Sequence, residues 1–163
     1  MNKVEFTCIG TIYSPFTELK GMPIQPIGAE GVKGEIHLNK NLTNGLKDIE
    51  GFSHLTLIYY LHKVNSYELE VKPFLDDKPH GIFATRSPKR PNPIGISVVK
   101  LNHIKKNIIY ISNVDILSET PILDIKPYVP QLYENTIKNL KIGWFKTNHE
   151  KAKNKKSDNR FID

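Results

Sequence analysis

Apolar and polar residues alternate along several stretches of this chain, and a period of two predicts β-strands. The longest such stretch, residues 52–64, is rich in β-branched and aromatic residues, so we predict that it forms the central strand. One face of it is apolar and consists of Leu55, Leu57, Tyr59 and Leu61. The other face is too polar for a core and is expected to line a pocket; it consists of His54, Thr56, Ile58, Tyr60 and His62. For His54 and His62 two interpretations stay open, a hydrogen-bonded half-buried histidine or a ligand contact.

Shorter alternating stretches predict further strands at residues 4–13, 34–38, 68–74, 81–85, 94–101 and 108–114. Lys106 and Asn107 lie between two of them and predict a hairpin turn. Helical patterns are weak and short, at residues 42–49 and 132–140. Because strands and helices do not alternate, a doubly wound fold is excluded. We predict a mostly β protein with a few short helices, in which a single sheet curls into a barrel.

Three connections break the strand pattern. Residues 17–33 contain repeated glycine and proline and predict a long ordered loop. In residues 86–93, three prolines stiffen a loop that we expect to display Arg86, Lys89 and Arg90. Guanidinium groups on a stiff loop, beside Ser87 and Asn92, suit a phosphate-bearing partner, although a solvated connection between strands is the alternative. Residues 124–130 predict a second proline-rich loop, which carries Asp124, Lys126 and Tyr128.

Composition narrows the function classes. The net charge of +6 favours polyanionic partners such as nucleic acid. The single cysteine, Cys8, excludes an internal disulfide and a cysteine-cluster metal site, and the six histidines lack ligand spacing, so no metal is expected. The first residues have no apolar signal region, and no apolar run reaches the roughly 18 residues of a membrane span, so we expect a cytoplasmic protein. Glycine-rich nucleotide motifs, zinc-protease motifs and the nucleophile-elbow motif are absent from the sequence.

The chain is expected to form one barrel domain, residues 1–145, followed by a basic tail, residues 146–163. Because it carries Lys151, Lys153, Lys155, Lys156 and Arg160 and almost no apolar residues, this tail is expected to be mobile, or helical only on contact.

Two long motifs in the sequence resemble those of a known protein family. The first is GIFATRSPKRPNPIGIS at residues 81–97, and the second is LDIKPYVP at residues 123–130. Together with residues 10–16, 21–25, 52–55, 143–144 and 160–161, they resemble the TsaA/TrmO family, also called VirR, of S-adenosylmethionine-dependent tRNA methyltransferases. The resemblance implies a dimeric single-sheeted β-barrel that binds S-adenosylmethionine without a Rossmann fold. It also implies methylation of N6 of the threonylcarbamoyl-modified adenosine at tRNA position 37.

The resemblance assigns roles by motif position. Cofactor contacts would be Pro23, Ile24, Gln25, His62, Lys63, Arg86, Ile96, Asp115, Ile116, Leu117 and Ser118. Contacts with tRNA would be Lys89, Arg90, Asn92, Lys126 and Tyr128. The candidates to orient the base or accept its proton are Asp124 and Asp115, with an ion pair that fixes the loop as the alternative role for Asp124. The non-catalytic alternative to the enzyme is an RNA- or nucleotide-binding β-barrel.

One position departs from the family pattern. Ser118 and Glu119 stand where the family usually has Asp-Gly, so a glycine suited to positive φ is lost. We expect this change to reshape the cofactor loop.

Overall fold

The computed structural model describes residues 3–132, 141–147 and 149–162. Its β-strands are β1 Gly10–Tyr13, β2 Lys33–Leu38, β3 His54–Tyr60, β4 Glu70–Val71, β5 His80–Gly81, β6 Ile94–Lys105, β7 Ile108–Ser112 and β8 Thr120–Pro127. The helices in the described part of the chain are short 3-10 turns: Pro26–Gly28, Lys40–Leu46, Ile49–Gly51, Ile82–Ala84, Pro130–Leu132, Gly143–Thr147, His149–Lys153 and Asn159–Phe161. The predicted mostly β architecture with sparse helix is confirmed. The helix predicted at residues 132–140 lies almost wholly outside the described residues.

Six strands close into an antiparallel barrel in the order β1-β2-β7-β6-β3-β8, and β8 pairs back to β1. Closure leaves no free sheet edge on the barrel. The central position of β3 is confirmed, because β3 pairs along its length with both β6 and β8. The remaining strands, β4 and β5, form a separate two-stranded ribbon.

The barrel interior is filled by alternate residues from each strand, as the period of two requires. Leu55 and Leu57 of β3 are fully buried, while the intervening Thr56 is half-buried. The remaining fully buried side chains of this core include Ile12, Ile36, Val99, Ile109, Ile111, Val114 and Ile122. Because these side chains fill the barrel interior, a ligand site has to lie outside this core.

Two predicted elements differ in the structure. Residues 81–85, predicted as a strand, continue from β5 into the 3-10 turn Ile82–Ala84, because they cross from the ribbon toward the proline loop. The predicted loop at residue 124 instead belongs to β8, which pairs with β3 up to Pro127. A proline is tolerated at the end of that strand since it needs no further ladder bond there.

The C-terminal segment is folded against the barrel domain. An antiparallel bridge joins Lys156 to Pro23, and the Gly21 and Ser157 backbone N–H groups donate to Ser157 and Met22 carbonyl oxygens, each at 2.9 Å. Phe161 is 7% exposed and packs against the ribbon residue Val71. The expectation of a mobile tail is therefore wrong for its described residues, because backbone pairing and one buried aromatic ring fix them.

Candidate functional site

A cleft of about 460 Å³ lies at one end of the barrel. Its floor is formed where β3 ends and β6 begins, and its walls come from the proline loop, the segment after β7 and the first long loop. The C-terminal segment completes it with Ser157, Asp158, Phe161 and Ile162. The volume lies within the ~300–1,000 Å³ of small-molecule sites.

This cleft brings together almost all of the predicted cofactor contacts. Those that line it are Pro23, Ile24, Gln25, His62, Lys63, Arg86, Ile96, Asp115, Ile116 and Leu117. They come from five separate segments of the sequence, so their convergence is a property of the barrel's topology. Ser118 does not line the cleft; its hydroxyl accepts a hydrogen bond from the Ser14 N–H at 3.3 Å and so stabilises the loop from behind.

A hydrogen-bonded chain runs through the cleft floor. The Ser97 hydroxyl donates to Oδ1 of Asp115 at 2.7 Å, and the Tyr59 hydroxyl lies 3.0 Å from Ser97 Oγ. Tyr59 and Ser97 are 7% and 3% exposed. Sequence reasoning missed both residues, because Tyr59 falls on the apolar face of its strand and Ser97 lies in a β-branched stretch; neither position signals that this face opens into a cleft.

The surroundings of this hydrogen-bonded chain raise the pKa of both of its titratable groups, the phenol of Tyr59 and the carboxyl group of Asp115. Burial raises the pKa of Asp115 to about 6, although the hydrogen bond from Ser97 and the nearby charge of Arg86 both act to lower it. Burial, followed by the neighbouring Asp115 carboxylate, raises the pKa of Tyr59 well above its usual value. Tyr59 therefore stays a hydrogen-bond donor throughout the physiological range, and Asp115 changes charge close to it.

His62 lies at the far end of β3, just outside the strand. Burial lowers the pKa of His62, and the adjacent Lys63 lowers it further, so the neutral imidazole is favoured. Its Nδ1 lies 3.4 Å from the Thr120 hydroxyl, which in turn donates to the Leu117 carbonyl oxygen at 2.7 Å. His62 lines the cleft, whereas the predicted pocket face of β3 itself, from His54 to Tyr60, points away from it.

The proline loop displays one of its three cations. Arg86 is exposed and its guanidinium donates to the Ile96 carbonyl oxygen at 3.1 Å. Arg90 lines the cleft but donates to the Ile82 and Thr85 carbonyl oxygens, at 3.1 and 3.0 Å. Lys89 is 8% exposed, with its ammonium 3.4 Å from Glu68. The expectation that all three cations are displayed is thus corrected for Lys89 and for much of Arg90, because their side chains tie the loop to its surroundings.

Ser87, the next residue of that loop, has an unusual environment. It lines the cleft and is 5% exposed, yet among the described residues its hydroxyl has no hydrogen-bond partner. A buried hydroxyl without a partner costs about 1–3 kcal/mol. Such a group at a cleft wall fits a partner supplied by a bound molecule.

The loop before β8 keeps a left-handed residue. Glu119 has φ of 64° and its N–H donates to the Ile12 carbonyl oxygen at 2.8 Å, while the Ser118 N–H donates to Phe16 at 2.7 Å. The loss of glycine therefore leaves the positive φ in place, held by these backbone bonds.

The structure does not bring the remaining predicted contacts to this cleft. Asp124 and Lys126 form an ion pair of 2.8 Å and alternate with Ile125, which packs toward the core, so both lie on the outer face of β8. Tyr128 follows that strand and is 39% exposed, and Asn92 is exposed in the proline loop. None of these four residues lines the cleft of its own chain, and Asp124 is held in the ion pair with Lys126.

Neither a metal centre nor a membrane-spanning helix is found in the described part of the chain. Residues 3–132, 141–147 and 149–162 contain no group of three histidine, cysteine or carboxylate side chains able to hold a metal ion. Within those same ranges, no helix has the length and apolarity to cross a membrane.

Comparison with known proteins agrees with this geometry. The family model of the tRNA-methyltransferase O N-terminal domain matches residues 11–133. A probable S-adenosyl-L-methionine-binding protein of Pyrococcus abyssi is 48% identical over 154 residues, which are 94% of this chain and 83% of that protein. The tRNA (adenine(37)-N6)-methyltransferase of Escherichia coli is 36% identical over 140 residues, which are 80% of this chain and 60% of that enzyme.

Solved structures show the same similarity. A crystal structure of TrmO superimposes with a TM-score of 0.72 at 35% identity, over 87% of this chain and 64% of that one. The TrmO of Pseudomonas aeruginosa gives a TM-score of 0.71 at 32% identity, over 88% of this chain and 63% of that one. This chain thus spans most of the Pyrococcus abyssi protein but less than two thirds of the Escherichia coli enzyme and of the two TrmO structures. With the family model covering most of its length and the barrel matching solved relatives, the chain belongs to the TsaA/TrmO family, whose model is the tRNA-methyltransferase O N-terminal domain.

Proposed function

We propose that this chain is an S-adenosylmethionine-dependent methyltransferase that acts on N6 of adenosine 37 of tRNA. The observation that carries the proposal is the cleft at the barrel end, in which Arg86, Asp115 and the Pro23–Gln25 loop converge. The similarity to a probable S-adenosyl-L-methionine-binding protein and to a tRNA (adenine(37)-N6)-methyltransferase supports it.

The residues of the cleft fit the cofactor's chemical groups. Apolar side chains such as Leu61, Ile94 and Leu117 match the faces of an adenine ring. Arg86 and Lys63 supply positive charge for a carboxylate, and Asp115 supplies negative charge for a cationic group. The unpartnered hydroxyl of Ser87 gives a further polar contact.

When bound, S-adenosylmethionine supplies an activated methyl group, so little covalent chemistry is left for the protein. The protein's share is to hold the adenine N6 in line and to provide for loss of its proton, and positioning accounts for most of the rate. Of the two acids predicted for this step, Asp115 lies in the cleft and has a pKa of about 6 through burial, which suits a base near neutral pH. Acid–base help of this kind adds about 10² to 10⁴-fold.

The proposal has four further parts, which concern the modification of the substrate, the oligomeric state, the cellular location and the tRNA contacts. The substrate adenosine is the threonylcarbamoyl-modified form, the protein acts as a homodimer, and it works in the cytoplasm. Exposed apolar side chains beside the cleft, Phe83 at 76% and Ile96 at 51% exposure, support a partner surface there. In a dimer, Lys126 and Tyr128 of the outer face contact tRNA.

The test is methyl transfer from radiolabelled cofactor to bulk tRNA, measured for the wild type and two variants. Arg86→Ala removes the displayed cation of the cleft and is expected to lower cofactor affinity at least about tenfold, as loss of a charge-assisted contact does. Lys105→Ala, exposed at the far end of β6, is the matched control and keeps wild-type cofactor affinity. The same reaction with tRNA lacking threonylcarbamoyl shows whether the modification is required.

Three outcomes would contradict parts of the proposal. Calorimetry without any heat from millimolar cofactor would refute the enzyme and leave the RNA- or nucleotide-binding barrel. Cofactor binding with no label in tRNA would refute the substrate. Light scattering that shows an 18.6 kDa particle at micromolar concentration would refute the dimer.

A further inference from the structure

We propose that Tyr59 and Ser97 are positioning residues that hold one oxygen of Asp115 in the cleft floor and leave the rest of its carboxylate to accept a hydrogen bond from a donor group of the bound ligand. This inference rests on the proposed function, and it concerns two residues to which neither the family resemblance nor the comparisons give a role.

The direction of the hydrogen bonds follows from the number of protons. The Ser97 hydroxyl has one proton and donates it to Asp115 Oδ1 at 2.7 Å. Ser97 Oγ can then only accept in the 3.0 Å contact with Tyr59, so the phenol donates. With Asp115 ionised, the chain therefore runs in one direction, from Tyr59 through Ser97 to the carboxylate.

The carboxylate keeps acceptor capacity for a ligand. An ionised carboxylate has about four acceptor sites, of which Ser97 and the residue's own backbone N–H occupy two. Asp115 lines the cleft, so its remaining sites are accessible to a molecule bound there. A donor group such as an amine or a hydroxyl satisfies them.

The chain is built on rigid elements, which is what positioning requires. Ser97 pairs with Leu57 across β6 and β3, and the Tyr59 ring lies over Gly95, its partner in the same ladder. A Cβ at position 95 would lie 2.1 Å from the Tyr59 ring, so the absence of a side chain there is what lets the ring lie flat and its hydroxyl reach Ser97.

The electrostatic surroundings of Asp115 are mixed. Arg86 faces it from the proline loop and favours its ionised form. Other charged or titratable groups in the cleft are His62 and Lys63 at the end of β3, Arg90 in the proline loop, and Asp158 in the C-terminal segment. Burial has the largest effect on the pKa of Asp115 and raises it. The hydrogen bond from Ser97 has the second largest effect and lowers it. Removing the Ser97 hydroxyl therefore raises the pKa of Asp115, and Asp115 then becomes neutral at a higher pH.

The first measurement uses the free protein. Carboxyl-carbon NMR titration of Asp115 is expected to show a pKa about one pH unit higher in Ser97→Ala than in the wild type, as loss of a hydrogen bond to a charged group implies. Tyr59→Phe is expected to shift it less, in the same direction. Ser97→Cys, which keeps a weaker donor, is expected to lie in between. Ser112→Ala, which removes a hydroxyl bonded to Asn102 at the far end of β6, is the control and leaves the titration unchanged.

The second measurement follows the binding of S-adenosylhomocysteine by calorimetry between pH 5 and pH 8. Affinity is expected to fall as Asp115 is protonated, and the midpoint of that fall moves upward by about one pH unit in Ser97→Ala.

An Asp115 titration that is the same in wild type, Ser97→Ala and Tyr59→Phe overturns the proposal, as does an affinity loss in these variants that is equal at every pH. If Ser97→Ala does not fold, Tyr59→Phe, which keeps the shape of the core, decides alone. Absence of any binding by the wild type refutes the proposed function, while the titration of the free protein still decides this inference.

Discussion

Two aspartates with the same chemistry have different environments in this protein. Asp124 pairs with Lys126 at 2.8 Å on the outer face of the barrel, and both side chains are substantially exposed. An exposed pair of this kind contributes about 0–1 kcal/mol. Asp115 lies in the cleft floor, where burial raises its pKa to about 6. Environment, not residue type, therefore makes Asp115 an acid that changes charge near neutral pH.

A raised pKa makes Asp115 a destabilising residue at neutral pH. Between its unfolded value of 3.8 and about 6, the folded chain binds the proton more tightly, so this residue's contribution to stability falls as the pH rises through that window. Asp115→Asn removes the effect. We expect urea unfolding to show the variant gaining about 2 kcal/mol relative to wild type between pH 4.5 and pH 7.5.

The matched control for this measurement is Asp77→Asn, since the Asp77 side chain is fully exposed. The stability of the Asp77→Asn variant relative to wild type is expected to change little across the same pH range. An Asp115→Asn variant whose relative stability is independent of pH would show that the carboxylate is not desolvated.

Glu119 shows how a residue adapts to a position that favours glycine. Its φ of 64° lies in the left-handed region, which costs a residue with a Cβ roughly 1 kcal/mol or more. Glu119→Gly is expected to stabilise the chain by about 0.5–1 kcal/mol with cofactor affinity unchanged. Thermal unfolding and calorimetry measure the two quantities; a destabilised variant would mean that the glutamate side chain makes contacts that offset its strain.

At the scale of elements, β3 and β6 create the site by their close approach. Tyr59 faces Gly95 across the ladder, and the proline loop and the Pro73–Leu75 segment that follows β4 line the space beyond this pair. Gly95 is the position where this approach depends on the absence of a side chain, because a Cβ there would lie 2.1 Å from Cε2 of Tyr59. The two strands thereby place Tyr59 and Ser97 where the hydrogen-bonded chain can form.

Gly95→Ala is expected to displace the Tyr59 ring and to lower cofactor affinity by about tenfold or more, with a loss of stability of roughly 1–3 kcal/mol from overpacking. Calorimetry and urea unfolding report the two effects. Gly81→Ala is the control, since a Cβ at that position meets nothing within 4 Å. Equal affinities for the two alanine variants would show that the position of the Tyr59 ring does not matter for binding.

At the scale of the whole molecule, the C-terminal segment joins distant parts of the chain. Arg160 forms a two-point ion pair with Asp158 and donates to the Pro73 carbonyl oxygen at 2.7 Å, while Phe161 packs edge-on against Phe74. Met22 accepts from Ser157, so the same segment fixes the first long loop. The segment is therefore a wall of the cleft, and its lysines are carried on a folded scaffold.

Deletion of residues 151–163 is expected to lower the melting temperature by several degrees and cofactor affinity by at least about tenfold, because it opens the cleft and exposes the packing site of Phe161. Scanning fluorimetry and calorimetry measure both. A truncated protein with wild-type stability and affinity would show that the segment is only a solvated run of charge.

The charges of the same segment are tested separately by Lys153→Ala combined with Lys156→Ala. Both residues are exposed, so the fold and cofactor affinity are expected to stay at wild-type values. If they contact tRNA phosphates, the slope of log affinity against log salt falls by roughly 0.7–0.9 for each lysine removed. An unchanged slope would place the tRNA elsewhere on the molecule.

The sequence alone determined the architecture, because a period of two in a chain without strand–helix alternation leaves few arrangements besides a mostly β sheet. It located the central strand, the Lys106–Asn107 turn and the proline loop, and the family resemblance pointed to ten of the residues that line the cleft. It misplaced the strand at residues 124–127, whose pairing partner is distant in sequence, and the tail, whose anchor is one phenylalanine among charged residues.

Only the tertiary structure decided which of these residues share a site. Barrel closure separates Asp124 from Asp115, since successive residues of a strand point to opposite faces and only one end of the barrel opens into the cleft. Tyr59 and Ser97 are ordinary core positions by sequence, and they become part of the site because β3 ends and β6 begins there. Local periodicity specifies which face a side chain occupies, but the register between strands far apart in the chain specifies what that side chain meets.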